Sequence, residues 1–252
     1  MNNPSDGQNR EYDGKLDDLG FLPVVGINYD EGFLGTGKKL LVLGESHYSK
    51  NKEADLKLGK TFTREQFGSF CEGNGPEEHM QRFVKAVNHI LTGNADPSEE
   101  EIRKTWRSLA FANFVQLFVH LDPETLQDVS QSDDDSVSRP SAAHWEHANE
   151  LLPQLLDALQ PDRILVLGKV NWDMIRDKGD VNQEHRIWQV GSLQRSNGGF
   201  AERALYEFKH RGETAALATW VYHPSRSRES LDLSDNVFVE LMGRVQPAID
   251  RP

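Results

Sequence analysis

The stretch that decides the fold is LLVLGESHYSK, Leu40–Lys50. It joins a continuous apolar run to a glycine and then to Glu45, Ser46, His47 and Tyr48 with no spacer. Short apolar runs that end at a glycine are typical of strands buried on both faces of a parallel sheet. The sequence therefore predicts that several reactive side chains begin where a buried strand ends.

The same pattern returns twice later in the chain. PDRILVLGK, at 161–169, ends an apolar run at Gly168, and ALATWVY, at 216–222, leads straight into HPSRSR. Apolar residues at helical spacing lie between these runs, and alternating strands and helices predict an α/β fold with a mainly parallel sheet. Ligands of such sheets bind beyond the carboxyl ends of the strands. We therefore expect GESHY, GKVNW and HPSRSR to meet at one edge.

The composition is that of an ordinary globular chain with an acidic balance. Its 252 residues are 37% hydrophobic and 27% charged, and the formal net charge is −12, which argues against a nonspecific DNA binder. No apolar run approaches the roughly 18 residues of a membrane span, and the polar N-terminal residues give no signal peptide. The single cysteine, Cys71, cannot form an intrachain disulfide or a multi-cysteine metal site. We expect a cytoplasmic protein with no cofactor and no membrane partner.

The chain reads as one domain with two polar additions. We expect residues 1–20 to form a flexible polar tail and residues 21–252 to form a single domain. The stretch 122–140, rich in Asp, Ser and Gln, predicts a loop insertion. Ser98 followed by Glu101 three residues later predicts a capped helix start.

Three residues after the first strand are candidates for chemistry. A partly desolvated carboxylate at a sheet edge can orient or deprotonate water, so Glu45 is a candidate catalytic base. The alternative is a capping or salt-bridged glutamate. His47 fits either a proton donor or anion ligand or a structural histidine, and Tyr48 fits either a pocket wall or core packing.

The late HPS motif offers a second set of candidates. Pro224 fixes the backbone beside His223, and an imidazole presented in this way can stabilise negative charge that develops on a substrate oxygen. Ser225 and Arg226 are candidates for holding a phosphate. The alternative is a purely structural turn.

Two further residues are suited to bind a planar ring. Asn113, in the aromatic stretch FANFVQ, offers a donor and an acceptor that match the edge of a nucleobase, or it bonds local backbone instead. Phe62 is suited to stack on a flat ring or to pack in the core. We predict no metal site, since His144 and His147 do not follow a zinc-binding helix pattern. The sequence has no phosphate-binding GxxxxGK[ST] loop and no GxSxG elbow of a serine hydrolase.

Taken in order, these motifs resemble the uracil-DNA glycosylase superfamily between Leu40 and Ser227. Members carry a first motif of the type GQDPYH, GEAPG or GINPG and a late HPS motif, each after a strand, and here these are GESHY and HPS. An aromatic strand with an asparagine and a P-x-x-I-x-x-L-G strand lie between them, as FANFVQ and Pro161–Gly168 do here.

The resemblance implies a three-layer α/β/α sandwich around a parallel sheet of about four strands. It also implies a DNA glycosylase, a hydrolase that cleaves the N-glycosidic bond of an abnormal base flipped out of DNA. Glu45 would position the attacking water and His223 would stabilise the departing base. The base would be bound by the side chains of Tyr48, Phe62, Asn113 and His47.

The chain departs from the family pattern, and two alternatives stay open. Ser46 and His47 stand where the GQDPYH type has aspartate and proline. One alternative is a nucleobase- or nucleotide-binding module of the same fold without cleavage. The other is a small-ester hydrolase with Glu45 and His47 as the acid–base pair.

Overall fold

A computed structural model describes residues 6–48, 52–72, 78–128, 139–178, 186–194, 200–210, 213–224, 238 and 241–243. The strands are β1 (Val24–Val25), β2 (Leu40–Gly44), β3 (Ala110–Asn113), β4 (Arg163–Leu167), β5 (Arg186–Gln194), β6 (Phe200–His210) and β7 (Glu213–Val221). The helices are α1 (Lys52–Leu58), α2 (Phe62–Phe67), α3 (Ser69–Glu72), α4 (Glu78–Thr92), α5 (Glu99–Trp106), α6 (Ala142–Leu159) and α7 (Lys169–Lys178). Short 3-10 turns cover Asp13–Lys15, Tyr29–Glu31, Phe33–Gly35 and Gly59–Thr61.

All of these strands belong to one mixed sheet in the order β1-β3-β2-β4-β7-β6-β5. The central strands β3, β2, β4 and β7 run parallel, while β1 at one edge and the β5–β6 hairpin at the other are antiparallel. The predicted α/β class and the parallel pairing at the centre are confirmed. The antiparallel additions make the sheet wider than the sequence suggested.

The parallel strands end at the same level. Gly44 of β2 pairs with Asn113 of β3, and Leu43 pairs with Val166 of β4. The last residue of β4, Leu167, pairs with Val221 of β7. The chain segments that follow β2, β3, β4 and β7 therefore start along a single edge, as the sequence predicted.

Apolar side chains alternate between the two faces of the sheet. Leu41 and Leu43 pack in a cluster with side chains of α6 and α7, and we call this side the α6 face. Leu40 and Val42 pack in a second cluster with side chains of α2, α3, α4 and α5, and we call this side the α4 face. This period-two burial on both faces explains the continuous apolar run that opened the sequence.

The connections leave neighbouring strands toward opposite faces. After β2 the chain runs through α2–α5, which contribute to the α4 face, whereas after β4 it enters α7, which contributes Trp172 and Ile175 to the α6 face. Adjacent parallel strands whose connections diverge in this way leave a crevice at their carboxyl ends, and ligands of open α/β sheets bind there. In this protein the connections diverge between β2 and β4, next to Gly44 and Gly168.

The N-terminal segment is packed, which corrects the predicted flexible tail for residues 6–20. Leu16 and Leu19 are buried in the cluster of the α6 face. Arg64, itself buried, forms a two-pronged ion pair with Asp13, at 2.9 and 2.5 Å, and donates to the Pro23 carbonyl. The charged neighbours in YDGKLDDLG hid this apolar spacing at the level of the sequence. Residues 1–5 lie outside the described residues.

Two local predictions have clear outcomes. The Ser98 hydroxyl accepts from the Glu101 amide while the Glu101 carboxylate accepts from the Ser98 amide, so the predicted capping box at the start of α5 is confirmed. In the predicted loop insertion, Asp122 Oδ1 accepts from the amides of Glu124 and Thr125 and thereby builds a turn. Residues 129–138 of that insertion lie outside the described residues. Among the described residues, no helix is both long and apolar enough to span a membrane.

Candidate functional site

The backbone after β2 is held against β3 beyond the end of the strand. The amide of Phe114 donates to the Gly44 carbonyl, and the amide of Val115 donates to the Glu45 carbonyl, both at 2.9 Å. The backbone of Glu45 is thus bonded to the segment that follows β3. The position of this residue at the carboxyl edge is fixed by the main chain and not by its side chain alone.

The Glu45 carboxylate is buried and carries two partners on one oxygen. Its Oε1 accepts from the Tyr48 hydroxyl at 2.9 Å and from Arg139 Nη1 at 3.2 Å. The Glu45 side chain is 10% exposed, whereas the Arg139 side chain is 77% exposed. The salt-bridged alternative for Glu45 is therefore present, but the carboxylate still lies at the sheet edge.

Tyr48 lies beside this carboxylate. Burial is the main cause that raises the pKa of its phenol, and the neighbouring Glu45 adds to the increase. Tyr48 therefore stays protonated at neutral pH and acts as a hydrogen-bond donor. The ring itself is partly exposed, consistent with the predicted pocket wall.

His47 packs among aromatic rings, and its predicted place among the base-binding residues stays a prediction. Its ring is 4.8 Å from the rings of both Phe21 and Phe62, edge to face, and its Nε2 is 2.8 Å from the Thr63 hydroxyl. Burial lowers the pKa of His47 to about 3, so the imidazole is neutral. The structural alternative accounts for this residue.

Phe62 belongs to the same aromatic cluster, and its predicted stacking role stays a prediction. Only 4% of the residue is exposed, and its ring is 4.8 Å from that of Phe118. A small apolar cluster, formed by Phe21, Phe62, Phe118 and Leu121, surrounds it. These contacts favour the core-packing alternative for Phe62.

Asn113 lies at the predicted edge, directly over Gly44. A Cβ placed on Gly44 would collide with Asn113 Oδ1 and would lie 3.2 Å from Cζ of Phe111. Asn113 is 4% exposed. The missing side chain at Gly44 therefore makes the room into which the Asn113 amide turns.

His223 stands at the same edge, next to Gly168. Its Cβ is 3.7 Å from the position that a Cβ would take on Gly168. Gly168 has a φ of +102°, which favours glycine, and its amide donates to the Val221 carbonyl at 2.8 Å. This sharp turn brings the start of α7 beneath the imidazole.

Phe83 of α4 links the two halves of the edge, and sequence analysis missed it. Its ring centroid is 6.3 Å from that of His223 and 6.0 Å from that of Phe111, whose ring reaches Gly44. His223 and Asn113 therefore approach the edge from the α4 face. In the sequence, Phe83 falls in the apolar stripe of α4, and helical spacing does not separate a residue at the end of the sheet from ordinary core.

Asn171, in the first turn of α7, is a second residue that the sequence did not single out. Its side chain is fully buried, and Nδ2 donates to the carbonyls of Gly44 at 2.9 Å and Leu43 at 3.3 Å. The available signal was its place in GKVNW, one of the three segments predicted to meet at this edge.

The structure thus brings the backbones of Glu45, Asn113 and His223 to one edge of the sheet, while the side chains of His47 and Phe62 pack in an aromatic cluster. Since β4 alone lies between β2 and β7, the backbone ends that carry Glu45 and His223 are about two strand spacings apart, roughly 10 Å. Ser225 and Arg226 lie outside the described residues. Within the described part of the chain, no group of three or more His, Cys, Asp or Glu side chains is arranged to hold a metal ion.

Comparison with known proteins adds no assignment: no protein family matches the chain, and no curated protein matches it at a significant level.

Proposed function

We propose that the protein is a DNA glycosylase-like hydrolase, similar to the uracil-DNA glycosylases, that cleaves the N-glycosidic bond of an abnormal or modified base. One observation carries this proposal. A buried carboxylate, a buried amide and an imidazole stand at the carboxyl ends of three parallel strands of one sheet, β2, β3 and β7. These are Glu45, Asn113 and His223.

The proposed fold is the three-layer α/β/α sandwich that the family resemblance implies. The apolar clusters on the α6 face and the α4 face, each formed with helices, support it. In this arrangement, the two helical layers leave only the ends of the sheet open to a large substrate, and Glu45 lies at one of those ends.

Glu45 is proposed to position the attacking water. Among the residues that the structure describes, both hydrogen bonds to this carboxylate reach Oε1, from Tyr48 and Arg139. These two contacts fix the plane of the carboxylate and leave Oε2 as the acceptor for water. A water held in this way is preoriented for attack on the sugar carbon.

His223 and Asn113 are proposed to bind the base. The departing base takes the electron pair of the glycosidic bond, and an imidazole donor stabilises the resulting negative charge in a site with little water. The Asn113 amide offers one donor and one acceptor to the edge of the base. Phe83, beside His223, supplies an aromatic wall on the α4 face.

DNA is the proposed partner in spite of the net charge of −12. The exposed guanidinium of Arg139 places positive charge directly over Glu45, where a phosphate of the substrate would otherwise be repelled. Flipping a base costs a few kcal/mol and least for a damaged or unpaired base, which favours abnormal bases as substrates.

The ester-hydrolase alternative is not supported, because His47 is neutral, buried and bonded to Thr63. The base-binding module remains the competing function. It predicts binding of the same ligands without formation of an abasic product.

The test is an abasic-site assay on single- and double-stranded oligonucleotides that carry a panel of modified bases. Glu45→Gln and His223→Ala should each slow base release by about 10²–10³-fold. Glu53→Gln and His147→Ala are matched controls, since Glu53 forms an exposed pair with Lys57 and His147 lies on α6. Base binding without an abasic product on any substrate would replace the hydrolase by the binding module, and unchanged rates in both site variants would refute the proposed roles.

A further inference from the structure

We propose that Asn171 is a positioning residue that holds the turn between Gly44 and Glu45 from the side of β4. Its consequence for catalysis rests on the proposed function, but its structural role does not. The pairing of β2 with β4 ends at Leu43, which is opposite Val166. Where this pairing ends, the Asn171 amide donates to the carbonyls of Leu43 and Gly44. The side chain thereby supplies a hydrogen bond to β2 that β4 no longer provides.

The Gly44 carbonyl is consequently held from both sides. The Phe114 amide approaches it from the β3 side, and Asn171 Nδ2 approaches it from α7, each at 2.9 Å. A carbonyl with two donors from two different elements has little freedom to rotate. The direction in which Glu45 leaves the strand is set by this pair of bonds and by the Val115 amide on the Glu45 carbonyl.

The carbonyl oxygen of the Asn171 side chain indicates that the Nδ2 donor is the functional part of this amide. Asn171 Oδ1 is buried and has no hydrogen-bond partner among the residues that the structure describes. A buried carbonyl oxygen without a partner destabilises the folded state, whereas an apolar side chain of similar size would fill the same volume without that penalty. An apolar side chain could not donate hydrogen bonds to the carbonyls of Leu43 and Gly44.

The hydrogen bonds from Asn171 to the backbone complement the contacts that Tyr48 and Arg139 make with the side chain of Glu45. Tyr48 and Arg139 hold its carboxylate, and Asn171 holds the peptide unit just before it. Displacement of the catalytic carboxylate by about 1 Å is enough to slow an enzyme about 10²-fold. Loss of Asn171 should therefore lower turnover without removing any group that touches the substrate.

The experiment measures amide hydrogen exchange in the full chain, as wild type and as Asn171→Leu. The Phe114 and Val115 amides should exchange at least about 10-fold faster in the variant, because their acceptors are no longer fixed. The amides of Asp162 and Arg163, which donate to Lys39 at the other end of β2, should be unchanged. Equal exchange of Phe114 and Val115 in both proteins overturns the proposal.

Asn149→Leu is the matched control variant. Asn149 lies on α6, and its Nδ2 also donates to a backbone carbonyl, that of Trp145. Its Oδ1 is also buried and, in the described part of the chain, has no partner. This control should leave the exchange of Phe114 and Val115 as in the wild type. Faster exchange of these two amides in Asn149→Leu as well would reduce the effect of Asn171 to general destabilisation and overturn the proposal.

A second variant and a kinetic measurement complete the test. Asn171→Ala removes both donor contacts with a smaller side chain, so it replaces Asn171→Leu if that variant does not fold, and the exchange of Phe114 and Val115 should again accelerate. On a substrate that the wild type cleaves, kcat should fall about 10-fold with KM unchanged, and a rise in KM alone contradicts positioning. A wild type that cleaves no substrate would refute the proposed function, while the exchange rates would still decide the role of Asn171.

Discussion

Glu45 and His47 stand two residues apart in one turn, yet they occupy opposite environments. Glu45 lies at the end of the sheet with an exposed arginine and a tyrosine on one oxygen. His47 points into a cluster of phenylalanine rings and bonds a threonine hydroxyl. The two residues show that polarity in a strand-end motif does not by itself mark a site.

The two environments differ because an imidazole readily loses its charge on burial, whereas a carboxylate with polar partners does not need to. A carboxylate that leaves water needs partners for its charge, and Glu45 finds them at the edge. An imidazole can lose its charge instead, and burial lowers the pKa of His47 to about 3. His47 can therefore serve as an aromatic core residue with a single polar contact.

The largest expected effect comes from a substitution of Glu45, which tests whether this residue acts in catalysis and not in stability. Glu45→Gln should reduce base release by about 10²–10³-fold, since the water loses its acceptor. The free energy of unfolding should change by less than about 1 kcal/mol, because Gln keeps the volume of the buried side chain and Arg139, which is 77% exposed, stays hydrated without its partner. Single-turnover assays and urea unfolding on the same preparation separate the two effects, and a large loss of stability with normal turnover would place Glu45 in the scaffold.

His47→Ala should show the opposite pattern. Removing a buried ring from an aromatic cluster should lower the free energy of unfolding by about 2–4 kcal/mol. Turnover per folded molecule should remain within about 3-fold of the wild type. Urea unfolding at pH 7 measures the loss, with Thr63→Val as the control that removes only the hydrogen bond, and a stable but inactive variant would return His47 to the site.

Acid sharpens the same contrast. The pKa of His47 is lowered in the folded state, so the unfolded chain binds the proton more readily, and stability is complete above pH 6.5 and falls as the pH drops toward about 3. Between pH 7 and pH 5, His47 should account for about 2 kcal/mol of lost stability. The measurement is the difference between wild type and His47→Phe at both pH values, and an equal loss in the two proteins would assign the acid effect to other groups.

The smallest effect concerns the hydroxyl that orients Glu45. Tyr48→Phe removes the bond to Oε1 but keeps the ring and leaves Arg139 in place. We expect base release to slow by about 3–10-fold, which corresponds to about one hydrogen bond. Tyr12→Phe is the control, since the Tyr12 hydroxyl donates to Asp30, away from Glu45. A Tyr48→Phe rate equal to that of the wild type would mean that Arg139 alone orients Glu45.

Local sequence signals predicted the features that depend on local chemistry. The apolar runs of β2 and β4 and the capping box at Ser98 each rest on a few neighbouring residues, and the structure contains all three. The direction of parallel strands predicted that GESHY, GKVNW and HPSRSR start along one edge of the sheet, and the ends of β2, β4 and β7 lie along one edge. These predictions needed no knowledge of distant contacts.

The features that the sequence did not reveal depend on contacts between distant segments. His47 is buried because Phe21 and Phe118, far away along the chain, close around it. The N-terminal segment is ordered because Arg64 reaches Asp13, 51 positions earlier. Asn171 acquires its role only when α7 comes to rest beside β2. No short pattern encodes such pairings.

The fit between Gly44 and Asn113 has an implication for how this protein can diverge. Because the amide of one occupies the volume that any side chain of the other would need, neither position is free to vary alone. Among relatives of this chain, a larger residue in place of Gly44 should be accompanied by a shorter one in place of Asn113. Such correlated replacement would trace, through evolution, the same steric lock that the folded chain contains.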